Sequence, residues 1–172
     1  YCPDYLKKNG AIQYCKPSEV PAVDPSKEEV KQVEVKLDGR SLTILKNMMT
    51  GTCITNQGLN VVASSCDKNN EDQKFLFIYD SGSLTYRGMS PRIRGKSWDR
   101  AAKHITSLLY WDVHGGENQK LRFNKKDYNI YQVVVQGECL QIRDNNKGDN
   151  AALGFAGCRE GDNAQKWRLV QA

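Results

Sequence analysis

Six cysteines are the most reactive side chains of this sequence: Cys2, Cys15, Cys53, Cys66, Cys139 and Cys158. At such a density thiols either ligate a soft metal or close disulfides. Cysteine zinc sites bring their ligands in close pairs, whereas no two cysteines here are nearer than thirteen residues. Local spacings of 13, 13 and 19 instead fit three short-range disulfides, Cys2–Cys15, Cys53–Cys66 and Cys139–Cys158, among the fifteen pairings that six cysteines allow. Each closed loop is worth about 3 kcal/mol in the chain-entropy account, and disulfides imply an oxidising, secreted or lumenal compartment. Free thiols packed in a core are the alternative.

Other reactive groups frame no catalytic centre. His104 and His114 stand ten residues apart with Ser107 and Asp112 as the nearest partners, and no nucleophile elbow or metal motif surrounds them. The stretch from Asp144 to Asn150 has the composition of a calcium loop, but Gly148 and the lack of a downstream glutamate break the EF-hand spacing. A hairpin turn rich in Asn, Gly and Asp is the simpler reading. The sequence therefore calls for no metal and no cofactor, and it is expected not to encode an enzyme.

The elements that hold these residues repeat. Gln73, Lys74, Phe75, Leu76 and Phe77 recur as Gln119, Lys120, Leu121, Arg122 and Phe123, then as Gln165, Lys166, Trp167, Arg168 and Leu169, so the glutamines are 46 residues apart twice over. Seven residues before each stand Cys66, Asp112 and Cys158. The repeats are 35–80, 81–126 and 127–172, with 1–34 left as a front segment. Apolar residues two and four places after each glutamine alternate in the manner of a strand with one buried face, and no window carries a helical stripe. The expectation is an all-β fold of about four short strands per repeat, with three repeats sharing one core. The longest apolar run is five residues, Phe75 to Tyr79, far below the roughly 20 that span a bilayer. The sequence opens on Tyr1 rather than Met, as after signal-peptide removal or in a fragment.

Three Gln-x-Trp-like motifs in fixed register, each with a Gly-x-Cys-Leu-like start upstream, resemble the ricin B-type lectins. The starts are Gly51 to Ile54, Gly95 to Asp99 and Gly137 to Leu140, and the resemblance covers about residues 36 to 172. It implies a β-trefoil of twelve strands with pseudo-threefold symmetry and one carbohydrate pocket available per repeat. The second repeat has Ser97 and Asp112 where its neighbours have cysteines, so it lacks an internal disulfide.

Sugar recognition needs a carboxylate and amides for paired hydroxyls, and an aromatic face for the apolar side of the ring. In the resembled lectins the acid follows the first cysteine position by two, the aromatic lies just before the second, and Asn-Gln opens the motif. Carried onto this sequence, the first repeat offers Thr55, Ser64 and Asp72 before Gln73; the third offers Gln141, Ala156 beside Phe155, and Ala164 before Gln165. The second keeps the set: Asp99 as acceptor, Tyr110 or Trp111 for stacking, and Asn118 with Gln119. His114 ranks below these, as a solvated loop residue.

Charge singles out the same repeat. The net charge of +5 divides into −1 for the front segment, 0 and −1 for the first and third repeats, and +7 for the second. Arg87, Arg92, Arg94, Lys96, Arg100 and Lys103 cluster there against Asp99 alone, a patch suited to an anionic glycan or to plain solvation. Nucleic acid is disfavoured, because few aromatics interleave the cations. Four of the five prolines fall in the first 25 residues, so the front segment is expected to be a Pro-rich, disulfide-closed knob and linker. The reading is a secreted, non-catalytic, carbohydrate-binding module for acidic or galactose-type glycans or glycoproteins on a cell surface, in an adhesion or toxin system. The rival is a degenerate trefoil that binds a protein partner through the basic second repeat or the N-terminal arm.

Overall fold

The computed structural model describes residues 33–102 and 104–172. Residues 1–32 of the Pro-rich front segment, with Cys2 and Cys15, and Lys103 lie outside these. Residues Glu34–Ala172 form a compact unit of twelve strands, the β-trefoil that the motifs imply. Among the described residues no helix is long and apolar enough to cross a membrane.

The first repeat holds β1 (Thr43–Asn47), β2 (Cys53–Gln57), β3 (Asn60–Ser64) and β4 (Leu76–Asp80). The second holds β5 (Thr85–Met89), β6 (Lys96–Arg100), β7 (Leu108–Asp112) and β8 (Arg122–Asp127), and the third β9 (Ile130–Val135), β10 (Glu138–Ile142), β11 (Ala151–Gly157) and β12 (Trp167–Gln171). Named strand pairings are antiparallel, and a closed path runs from β3 through β2, β1, β12, β9, β10 and β11 back to β3. The β4–β5 hairpin joins through backbone bridges Thr43–Phe75 and Tyr86–Leu121. Strands this short are set by turn chemistry. Gln136 and Gly137 both take positive φ, 52° and 81°, the two-residue hairpin geometry that matches strand twist.

The core repeats with the sequence. Phe75, Leu121 and Trp167, each two places after its glutamine, are buried together with Ile54, Trp98 and Leu140 from the strands behind them. Phe75 and Phe77 meet the Trp98 indole edge-on, with centroids 5.2 and 5.3 Å away. Packing is close enough that a Cβ at Gly88 would lie 2.7 Å from Trp98 Cδ2. The expected pairs Cys53–Cys66 and Cys139–Cys158 are disulfides, with Cα atoms 5.0 and 5.1 Å apart. At the corresponding ends of the second repeat, Ser97 is buried and Asp112 instead accepts from Lys96 Nζ at 2.7 Å.

Candidate functional site

Each motif glutamine ends a short 3₁₀ turn, Glu71–Gln73, Glu117–Gln119 or Asn163–Gln165. Each is buried and makes the same clamp. The amide oxygen accepts from a backbone N–H of the preceding loop: Asp67 for Gln73, His114 and Gly115 for Gln119, Arg159 for Gln165. The amide nitrogen donates to a strand-end carbonyl, of Ser65, Asp112 or Gly157, and to the side chain two residues past the first cysteine position. That side chain is Thr55, Asp99 or Gln141. A buried amide with all its groups paired fixes its surroundings, so the fold itself requires an acceptor at this position. Only the second repeat supplies a carboxylate.

Asp99 forms the floor of a cleft. Its side chain is 7 % exposed; Oδ1 accepts from Asn118 Nδ2 at 2.8 Å, and Oδ2 accepts from Gln119 Nε2 at 2.9 Å with His114 Nε2 at 3.3 Å. A carboxylate has about four acceptor positions, so one remains for a ligand and the His114 position is exchangeable. His114 is oriented by the Gly116 N–H, which donates to its Nδ1 at 3.0 Å. This places the proton on Nε2, toward Asp99. Asn118 Nδ2 also donates to the Arg100 carbonyl, while its Oδ1 accepts from no described residue. The cleft, of ≈ 230 Å³, is lined by Asp99, Asn118, His114, Trp111, Leu109 and the loop after β6.

The two candidate rings part company. Tyr110 is 1 % exposed, its hydroxyl donating to Asn56 Oδ1 at 2.6 Å and accepting from Trp98 Nε1 at 3.2 Å. Burial pushes its phenol well above the ordinary range. Tyr110 is thus a core residue and not a stacking surface, which corrects one of the two expectations; Trp111, 58 % exposed, lines the cleft. Counting back from the glutamine favours Tyr110 because it assumes equal loops. The ladder pairs Ser97 with Trp111, as it pairs Cys53 with Ser64 and Cys139 with Ala156. One residue fewer separates Asp112 from Gln119 than separates Ser65 from Gln73 or Gly157 from Gln165.

The equivalent places in the other repeats are differently furnished. Gln141 accepts from Arg159 Nη2 at 3.0 Å as well as from Gln165, so a guanidinium sits where the second repeat has the His114 imidazole. Thr55 Oγ1 is turned to the Cys53 carbonyl. His114 is the functional candidate that sequence reasoning undervalued; the signal available was Gly115-Gly116 directly after it, which lets the ring fold back onto the turn.

The basic residues do not converge. Arg92 pairs with Asp72 of the first repeat, Lys96 with Asp112, and Arg100 with Glu138 of the third while lying 4.6 Å above the Phe155 ring. None of Arg87, Arg92, Arg94, Lys96 and Arg100 lines the cleft; Arg87 borders a separate cavity with Asp80 and Lys120. Three of the six expected patch residues are thus engaged with acidic partners away from the cleft.

A glutamine-clamped trefoil with a carboxylate-floored cleft is the architecture of a lectin-type β-trefoil. Residues 41–167 match the ricin-type β-trefoil lectin domain, and the chain belongs to that family of carbohydrate-binding domains. Solved structures share its fold. A designed threefold-symmetric protein, ThreeFoil, is 21% identical with a TM-score of 0.64, covering 75% of this chain and 97% of its own. The Macrolepiota procera ricin B-like lectin in complex with lactose is 14% identical with a TM-score of 0.62, covering 81% and 100%. An exo-beta-1,3-galactanase from Clostridium thermocellum is 18% identical with a TM-score of 0.66, covering 77% of this chain and 30% of the enzyme. No curated protein matches by sequence.

Proposed function

We propose that this chain is a non-catalytic lectin module that binds a neutral, galactose-type hexose of a cell-surface glycan in the second repeat. The observation that carries the reading is the buried Asp99 carboxylate, held by Asn118 and Gln119, at the floor of a cleft whose wall is the exposed Trp111. Adjacent hydroxyls donate to Asp99, a third donates to Asn118 Oδ1, and the C–H face of the pyranose lies on the indole. Covering that face contributes about 1 to 2 kcal/mol. Since no cation of the described patch lines the cleft, a neutral sugar is favoured over a sialylated or sulfated one. Glycoside hydrolysis uses two carboxyl groups flanking the bond, and Asp99 is the one carboxylate among the lining residues described. The two disulfides support maturation in an oxidising compartment and a secreted role in adhesion or targeting.

Tryptophan emission tests this directly. Of three tryptophans, Trp98 and Trp167 are fully buried, so a ligand-dependent change reports on Trp111. Galactose and lactose at millimolar concentration are expected to shift the emission and protect it from acrylamide, and Trp111→Ala to abolish both effects together with binding. Absence of binding to either sugar overturns the reading in favour of a protein-docking trefoil. Tighter binding of sialyllactose that depends on Arg94 overturns its neutral-sugar part.

A further inference from the structure

The cleft extends beyond the sugar position just described. Along the β6–β7 hairpin, Trp111 pairs with Ser97, Leu109 pairs with Asp99, and the connection 101–107 continues past Arg100 and Leu108. At about 3.3 Å per residue, the wall from Trp111 to the level of Ser107 is about 13 Å long. The same cleft runs from Trp111 and Asp99 to Ala101 and His104 at the loop end. The first repeat has nothing comparable, because Gly58 and Leu59 alone join β2 to β3.

An exposed connection would ordinarily be mobile, but residues 104–107 of this one are tied to both other repeats. Arg143, from the third repeat, donates through Nη1 to the Ile105 carbonyl at 2.8 Å, and through Nη2 to Ser107 Oγ at 2.8 Å and the His104 carbonyl at 3.4 Å. Thr106, fully buried, donates to the Val61 carbonyl at 2.8 Å and accepts from the Leu153 N–H at 3.0 Å. The Ser107 N–H donates to the Leu153 carbonyl at 2.9 Å. A wall braced in advance spares a ligand the ordering entropy of the loop.

We propose that the braced loop is a second sugar subsite. The ligand is then a neutral oligosaccharide end of at least two pyranoses, and Arg143 is the positioning residue that sets this preference without touching sugar. The second ring rests its C–H face on Ala101 and exchanges a hydroxyl hydrogen bond with the His104 imidazole. This inference rests on the pocket reading above and deepens it.

Calorimetric titration of the full chain with galactose, lactose and melibiose tests it. One of the two disaccharides is expected to bind about 5- to 10-fold tighter than galactose, the increment of one or two hydrogen bonds and a covered apolar face. Arg143→Met is expected to bring that ratio to about one with galactose affinity unchanged, Arg143→Lys to restore part of it, and His104→Ala, on the exposed loop, to lower disaccharide affinity alone. Circular dichroism establishes that each variant folds. If galactose binds and neither disaccharide binds tighter, or if Arg143→Met leaves the ratio intact, the subsite is wrong while the pocket stands. If neither galactose nor disaccharide binds, both fall.

Discussion

The three repeats contain an internal control for the role of Asp99. Its counterparts Thr55 and Gln141 accept the clamp hydrogen bond from Gln73 and Gln165 at 3.0 Å each, so the fold tolerates a neutral acceptor at the position where the proposed sugar site uses an acid. Asp99→Ala removes the acceptor outright. Gln119, 2 % exposed, keeps the Asp112 carbonyl but loses its second partner, and an unpaired buried N–H costs about 1 to 3 kcal/mol. The half-buried Asn118 keeps the Arg100 carbonyl and reaches water, adding little. We expect Asp99→Ala to lose about 2 to 3 kcal/mol of stability. Asp99→Thr recreates the first-repeat arrangement, in which the hydroxyl accepts from the glutamine and donates to the carbonyl two residues back, at a cost of about 1 kcal/mol or less. The two variants should differ by about 3 to 8 °C in midpoint, read by urea and thermal denaturation. Both should lose sugar affinity by about two orders of magnitude or more, since each charge-assisted hydroxyl bond is worth about 1.5 to 3 kcal/mol. Equal destabilisation by Thr and Ala would refute the clamp argument, and lactose binding by a folded Asp99→Thr protein would refute the pocket.

Two further perturbations separate the site from the core. A Cβ at Gly116 would lie 2.7 Å from His114 Cε1 and 2.9 Å from its Nδ1, so Gly116→Ala is expected to swing the ring off Asp99 and, by leaving that acceptor position open to a hydroxyl, to strengthen sugar binding about 3- to 10-fold with little change in melting; unchanged binding would remove His114 from the pocket. Burial raises the Tyr110 phenol above its ordinary value of 10.0, so the folded chain holds this proton longer than the unfolded one. Its contribution is complete below about pH 10 and lost above it, at up to about 1.4 kcal/mol per pH unit. Urea denaturation followed from about pH 9 to pH 11 should show this alkaline loss, and Tyr110→Phe should reduce it; an identical slope in the variant would show that Tyr110 is not the titrating group.

Much of this architecture is legible in the sequence because it is written in covalent spacing. Glutamines 46 residues apart mark three copies of one clamp. Each copy needs the same buried acceptor and the same apolar residue two places on, because each packs against the same shared core. The pairs Cys53–Cys66 and Cys139–Cys158 follow from short separations of 13 and 19 residues. Asp99, Asn118 and Gln119 were readable for the same reason: they sit at fixed offsets inside the repeat, and the hydrogen bonds joining them hold the fold as well as the pocket.

Tertiary structure decided what spacing does not encode. Neighbouring strand residues face opposite ways, so one residue fewer between Asp112 and Gln119 than in the other repeats determines that Trp111, and not Tyr110, reaches the cleft. Net charge sums a segment without direction; the side chains of Arg92 and Arg100 leave the second repeat for Asp72 and Glu138 on its two neighbours, so the +7 total does not say which cations point the same way. The Arg143 brace, which lies 36 residues beyond Ser107 in the chain, exists only because threefold closure brings the third repeat against the loop of the second.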